Sequence, residues 1–223
     1  MTRVVLYQYA PQERTPEENI AYIISKVGSI KNALIVLPEF GLSSYEDYNF
    51  IKSENLRTFM EPLLDICAKQ NIAFVTSLPI VHNKKCYNRG LYISKYIFTY
   101  KDKANLFGQE NEIMHSGVNN PLFTYKKNRF TLQVCLDIIN PIQSYEAVLN
   151  GANFILNPAS VSVDYLRSIN KARSLENGVP VIFCNRSGTE KSGTQYLGRS
   201  GVFFPDGTEK TITSQEGLLS LLI

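Results

Sequence analysis

Three residues of reactive type recur at one kind of place in this sequence, just past a stretch that reads as a β-strand. Cys135 closes Arg129–Val134, where Phe130, Leu132 and Val134 alternate with Thr131 and Gln133; that period of two marks a half-buried strand. Glu39 follows the wholly apolar run Ala33–Leu37 and Pro38, and Lys103 lies beyond the strand pattern Tyr96–Tyr100. A thiol can attack an electrophilic carbon, a carboxylate can take its proton, and an ammonium can hold the negative charge that develops. Loops at strand C-termini are where α/β folds place such chemistry. Singly, each residue also has an ordinary reading: a core thiol, a capping or loop carboxylate, a lysine that snorkels to solvent.

The elements that must position these residues alternate between strand and helix. Arg3–Tyr9 is a strand pattern. Thr15-Pro16-Glu17-Glu18 is a helix start, with Thr15 as N-cap and Glu18 closing a capping box. Ile20, Ile23, Ile24, Val27 and Ile30 then lay an apolar stripe at helical spacing. A second helix spans Asn55–Gln70, with Pro62 expected to kink or restart it. Ile72–Leu78 is a buried strand ending at Pro79, and Tyr87–Ile93 and Tyr96–Tyr100 form a hairpin. Leu122–Tyr125 and Arg129–Val134 form another, which carries Cys135. Pro141–Asn150 and Asp164–Asn177 are helices, the second stopped by Gly178. Strands follow at Ala152–Asn157, Val179–Cys184, Val202–Phe204, Glu209–Ile212 and Leu218–Ile223. Without linker, repeat or low-complexity tract, residues 1–223 read as one domain.

Composition narrows the function classes. A net charge of +3 is too small to imply a nucleic-acid or membrane surface, and no apolar run is long enough to span a bilayer. The first residues enter a strand without the regions of a signal peptide, so a cytoplasmic location is expected. The four cysteines form no C-x-x-C pair and are expected as free thiols, with Cys67 and Cys184 in the core. Two histidines, His82 and His115, are too few for a His-rich metal site, and neither a metal nor a cofactor is expected.

Taken together, these stretches resemble the nitrilase superfamily of carbon–nitrogen hydrolases, along essentially the whole chain. Leu34–Glu39 resembles the family's glutamate motif, Tyr100–Phe107 its Tyr-x-Lys-x-x-Leu-Phe motif, and Val134–Asp137 with Pro141 its nucleophile motif. Lys171–Asn177, Asn185-Arg186-Ser187-Gly188 and Gly198–Gly207 resemble its later signatures, in the same order. The resemblance implies an α/β fold, an α-β-β-α sandwich of two packed sheets with outer helices, and a homodimer or larger homo-oligomer. It implies Glu39, Lys103 and Cys135 as the catalytic trio, Glu110 as an accessory residue that positions Lys103 or the substrate, and the backbone N–H of Leu136 as an oxyanion donor. Tyr45 and Asn157 are candidate substrate contacts.

The resemblance implies a Cys-dependent hydrolase that opens a non-peptide C–N bond through a thioester. Strict nitrilases tend to carry Trp-Glu after the cysteine; Leu136-Asp137 here is closer to amidase and carbamoyl-hydrolase branches, which favours a small amide as partner molecule. Nitrile hydrolysis at the same site, a non-catalytic scaffold that kept the fold, and a Cys-His hydrolase using His115 are the alternatives. The sequence departs from the family pattern at Asn105, Met114 and Ile142, has no tryptophan, and stops at its last strand without the tail that many members swap across a dimer.

Overall fold

Elements follow one another in the computed structural model, which describes residues 1–10, 14–44, 48 and 50–223, in the order β1 (Arg3–Gln8), α1 (Pro16–Val27), β2 (Ala33–Val36), β3 (Ile51–Lys52), α2 (Leu56–Gln70), β4 (Ala73–His82), β5 (Lys85–Ile93), β6 (Phe98–Asp102), α3 (Glu110–Ile113), β7 (Leu122–Tyr125), β8 (Asn128–Leu132), α4 (Pro141–Leu149), β9 (Phe154–Ala159), α5 (Tyr165–Asn177), β10 (Val181–Asn185), β11 (Gly201–Phe203), β12 (Glu209–Thr211) and β13 (Gly217–Leu222). They make two mixed sheets, β13-β1-β2-β4-β5-β6 with β3 added against β4, and β12-β11-β10-β9-β8-β7. Each sheet has a parallel centre, β1-β2-β4 in one and β8-β9-β10 in the other, flanked by antiparallel strands.

Period-two alternation decides what each face of the first sheet meets. Val4, Leu6, Leu34 and Val36 enter the core between the sheets. Their neighbours Val5, Tyr7, Ala33 and Ile35 pack instead against Ile20, Ile23 and Val27 of α1 and Met60, Leu63 and Cys67 of α2. Strands apolar on both faces are what a sheet buried on both faces requires. Helices α4 and α5 lie against the second sheet, which completes the expected α-β-β-α sandwich. No helix among the described residues is long and apolar enough to cross a membrane.

The Thr15 capping box is present in full: Thr15 Oγ1 accepts from the Glu18 N–H, and a Glu18 carboxylate oxygen accepts from the Thr15 N–H. Helix α2 runs through Pro62 without restarting, and one strand bound changes. Strand β4 likewise continues through Pro79 to His82 and turns at Asn83-Lys84, both with positive φ, into a long hairpin with β5; two positive φ values are what a two-residue type I′ loop demands. Pro79 is tolerated because it falls between the last residue paired to β2, Val75, and the first paired to β3, Ile80, where no ladder needs its missing N–H.

Candidate active site

Strand β8 delivers Cys135 to the first position of a 3-10 turn, Cys135–Ile139. The cysteine has φ +49°, a left-handed conformation that costs a non-glycine residue about 1–3 kcal/mol and persists only where the surroundings enforce it. Here they do. Asn157 Nδ2 donates to the carbonyls of Gln133 (2.6 Å) and Cys135 (3.0 Å). Arg173 on α5 donates to the carbonyls of Ile138 (3.0 Å) and Ile139 (2.9 Å).

Asp137 ties this turn to the segment carrying Lys103. Its Oδ1 accepts from the N–H groups of Ala104 (2.9 Å) and Asn105 (2.8 Å). Its Oδ2 accepts from the N–H of Val134 (3.2 Å) and pairs with the buried ammonium of Lys101 (3.1 Å). The residue that entered as a hint about substrate thus fixes the cysteine turn relative to the lysine strand.

Glu39 is held on the other side. Phe40, with φ +49°, reverses the chain directly after it. Arg186 donates through Nη2 to the carbonyls of Glu39 (3.2 Å), Phe40 (2.9 Å) and Ser43 (3.0 Å), and its Nη1 pairs with Glu190. Ser160 Oγ donates to the Glu39 carbonyl, 2.9 Å. A side chain at Gly41 would meet Thr76 Oγ1 at 2.6 Å, so this turn approaches β4 as closely as glycine permits.

These supports converge on one fully buried cluster. Lys103 Nζ lies 2.8 Å from Glu39 Oε1 and 2.7 Å from Glu110 Oε2. Asn88, on β5, donates through Nδ2 to Glu39 Oε1 (2.8 Å) and Glu110 Oε1 (2.7 Å), and its carbonyl takes the N–H of Lys103 (2.8 Å). Glu110 Oε2 also accepts from the Phe107 N–H, 2.8 Å. Both oxygens of Glu110 are therefore occupied. Glu39 differs: Oε1 takes two donors, while the buried Oε2 has no hydrogen-bond partner among the described residues.

The electrostatics follow from burial and charge. Burial raises the Glu39 pKa, as does the charge of Glu110, against the opposing pull of Lys103 and the neighbouring Cys135 thiol. Burial also pushes the Cys135 thiol well above its ordinary value, helped by the charge of Glu39; Lys103 and a backbone hydrogen bond from Ser160 work the other way. Burial disfavours the Lys103 ammonium, but Glu39, Cys135 and Glu110 around it more than offset this and lift its pKa. Burial thus favours the neutral thiol of Cys135 and the neutral acid of Glu39, while the surrounding negative charges favour the Lys103 ammonium.

The fold thus brings Glu39, Lys103, Cys135 and Glu110 together: Glu39 from the turn after β2, Lys103 and Glu110 from the two ends of the β6–α3 connection, and Cys135 from the turn after β8. Asn157, expected at the substrate, has its amide nitrogen committed to the two backbone carbonyls of the cysteine turn and its oxygen to Asn170 Nδ2, 3.0 Å; it braces the turn instead. Tyr45 lies outside the described residues. The Leu136 N–H takes no acceptor outside its own turn among the described residues, whereas the next N–H, of Asp137, folds back to the Val134 carbonyl at 3.0 Å. His115 is exposed with its ring against Tyr87, and His82 bonds Ser53, so neither histidine serves the buried thiol. Asn88 was not singled out by its sequence: with Arg89 beside it in β5, its polar side chain did not stand out.

A family model described as carbon-nitrogen hydrolase matches residues 3–218. A probable nitrilase of Schizosaccharomyces pombe is 25% identical over 244 aligned residues, covering 99% of this chain and 88% of that one. An omega-amidase of Escherichia coli is 31% identical over 115 residues, 48% of this chain and 43% of its own. Among solved structures, an amidase from Nesterenkonia sp. superposes with a TM-score of 0.84 at 23% identity, over 99% of this chain and 89% of its own.

Proposed function

Because the chain belongs to the carbon–nitrogen hydrolase family, we propose that it cleaves the C–N bond of a small non-peptide amide or carbamoyl compound, with Cys135 as nucleophile. The observation that carries this reading is that the buried Oε2 of Glu39 takes no donor from Lys103, Asn88 or Glu110, while the Cys135 thiol is its hydrogen-bonding neighbour.

As Cys135 Sγ attacks the carbonyl carbon, its proton passes to Glu39, so no free thiolate accumulates in the dry site. The C=O pair moves onto oxygen. The resulting oxyanion is stabilised by the Lys103 ammonium and the N–H of Leu136. Collapse of the tetrahedral adduct breaks the C–N bond, and Glu39 returns the proton to the leaving nitrogen, which departs as ammonia or an amine. A thioester remains on Cys135. Water, giving its proton to Glu39, attacks the thioester; the C–S bond breaks, Glu39 passes that proton to the departing sulfur, the acid leaves and the thiol is restored. Glu110 keeps Lys103 in place throughout.

The Leu136-Asp137 pair supports amides over nitriles, while the similar proteins include both a probable nitrilase and amidases. The test is ammonia release from small amides, carbamoyl compounds and nitriles, with Cys135→Ala as control. The expected result is turnover of an amide and a thioester mass on Cys135; absence of turnover on every compound favours the scaffold reading. We further propose that copies associate through α4, whose Ile142, Tyr145 and Leu149 form one apolar stripe at 61%, 61% and 72% exposure. A solution mass of two or more chains, reduced to one by Tyr145→Glu, is the expected outcome.

A further inference from the structure

We propose that Asn88 is a positioning residue that keeps two neighbouring carboxylates apart in role, one as base and one as brace. The inference rests on the reading of Glu39 as the base. A single amide nitrogen lies between Glu39 Oε1 (2.8 Å) and Glu110 Oε1 (2.7 Å). An amide can be turned over without changing its outline. Here the reverse orientation would set Oδ1 against two anionic oxygens, so only the donating face fits. The same residue's carbonyl holds the Lys103 N–H at 2.8 Å. Asn88 therefore touches each member of the cluster except the cysteine.

Its neutrality matters as much as its reach. Two carboxylates on one ammonium tend to share a proton, because both cannot ionise cheaply side by side. A base in that state is lost. A second cation between them would cure the repulsion, but it would also hold the base proton-free too firmly to accept the thiol's hydrogen. A neutral double donor does less: one N–H to each carboxylate favours the charged form of both without adding charge. It also occupies Glu39 Oε1 together with Lys103, which leaves Oε2 as the free oxygen. Strand β5 supplies the rigidity, since Asn88 is paired on one side to Pro79 of β4 and its carbonyl is bonded to the chain leaving β6.

The test is Asn88→Ala and the near-isosteric Asn88→Asp, each checked for wild-type secondary structure by circular dichroism. In Asn88→Ala, kcat is expected to fall about 100-fold with KM within about threefold of wild type, the pattern of a lost transition-state arrangement. The acid limb of kcat/KM is expected at higher pH, because Glu39 loses a donor to its charged form. Asn88→Asp, with a third carboxylate in the cluster, is expected to lose more. The rate of Cys135 alkylation by iodoacetamide against pH gives the same limb without any amide turnover, so it separates failure of this proposal from failure of the amidase reading. If Asn88→Ala folds and neither limb moves, or if KM rises with kcat unchanged, Asn88 is a structural residue only. If Asn88→Ala does not fold, the alkylation limb of Asn88→Ser, which keeps one donor, decides: an unmoved limb overturns the proposal.

Discussion

Two buried lysines two residues apart, Lys101 and Lys103, each meet a fully buried carboxylate, and the two pairs are built to different ends. Around Lys101, every oxygen of Asp137 is occupied: Oδ1 by two backbone N–H groups, Oδ2 by a third and by the ammonium. Around Lys103 there are two carboxylates for one ammonium, and Glu39 Oε2 has no partner. A buried polar network is stabilising when complete and costly when not. The complete one joins the cysteine turn to the lysine strand. The other leaves Glu39 Oε2 without a donor from the cluster, as the proposed role of Glu39 as base requires.

The largest effect is expected from Glu39→Gln. Its Oε1 can take the same two donors, but the amide nitrogen falls where the free oxygen was and cannot accept the thiol proton. Loss of general acid–base catalysis should lower kcat/KM by about 100- to 10,000-fold. Stability should move the opposite way. The folded Glu39 pKa is raised by burial, so the native state favours the protonated form and loses stability as pH rises through that pKa. Removing the charge leaves Lys103 balanced by Glu110 alone. Unfolding at neutral pH should then be later by roughly 1 kcal/mol, about 2–4 °C for a chain of this size, with the gain shrinking as pH falls. For the same reason the wild-type acid limb should lie above the ordinary glutamate value of about 4.3. An inactive Glu39→Gln that is also less stable than wild type would erase the contrast between the two clusters.

Asp137→Asn probes the other cluster and should behave in reverse. Its oxygen can serve Ala104 and Asn105, but an amide nitrogen then faces the Val134 N–H and the Lys101 ammonium, and a buried charge is left unpaired. Breaking a buried pair in this way costs about 3–5 kcal/mol. Thermal unfolding should be markedly earlier, and activity should fall with the folded fraction rather than through a shifted pH profile. A stable, fully folded Asp137→Asn with a displaced acid limb would place Asp137 in the chemistry instead.

The sequence made one cluster far more legible than the other. Glu39, Lys103 and Cys135 each stand past a strand, where position and side-chain type together point to a site. Asp137 read as a turn residue because its partners, Lys101, Ala104 and Asn105, come from more than thirty residues upstream, through pairing that no local pattern encodes. Asn88 was hidden for a related reason. Its role depends on the register of the β4–β5 hairpin, and the strand readings stopped β4 at Pro79, three residues short of its turn. The helix starts, by contrast, are local chemistry, and the Thr15 box was readable from four residues. The two-sheet packing came with the family resemblance and not from periodicity, which gives the faces of a strand but not what covers them.

Asn157 offers the smallest and most discriminating test. Its side chain is bound to the carbonyls of Gln133 and Cys135 and to Asn170, so it belongs with the braces although it sits one strand from the nucleophile. Asn157→Ser shortens the side chain and releases the Cys135 carbonyl, letting the strained +49° turn relax. A nucleophile displaced by a fraction of an ångström should lower kcat by about tenfold, with KM nearly unchanged. A direct substrate contact predicts the opposite division, a raised KM with kcat held. Steady-state kinetics on the preferred amide distinguish the two. Because the release acts through one backbone carbonyl, the loss should be largely recovered by Asn157→Gln only if the longer amide still reaches it, which ties the effect to the bond and not to the volume of the side chain.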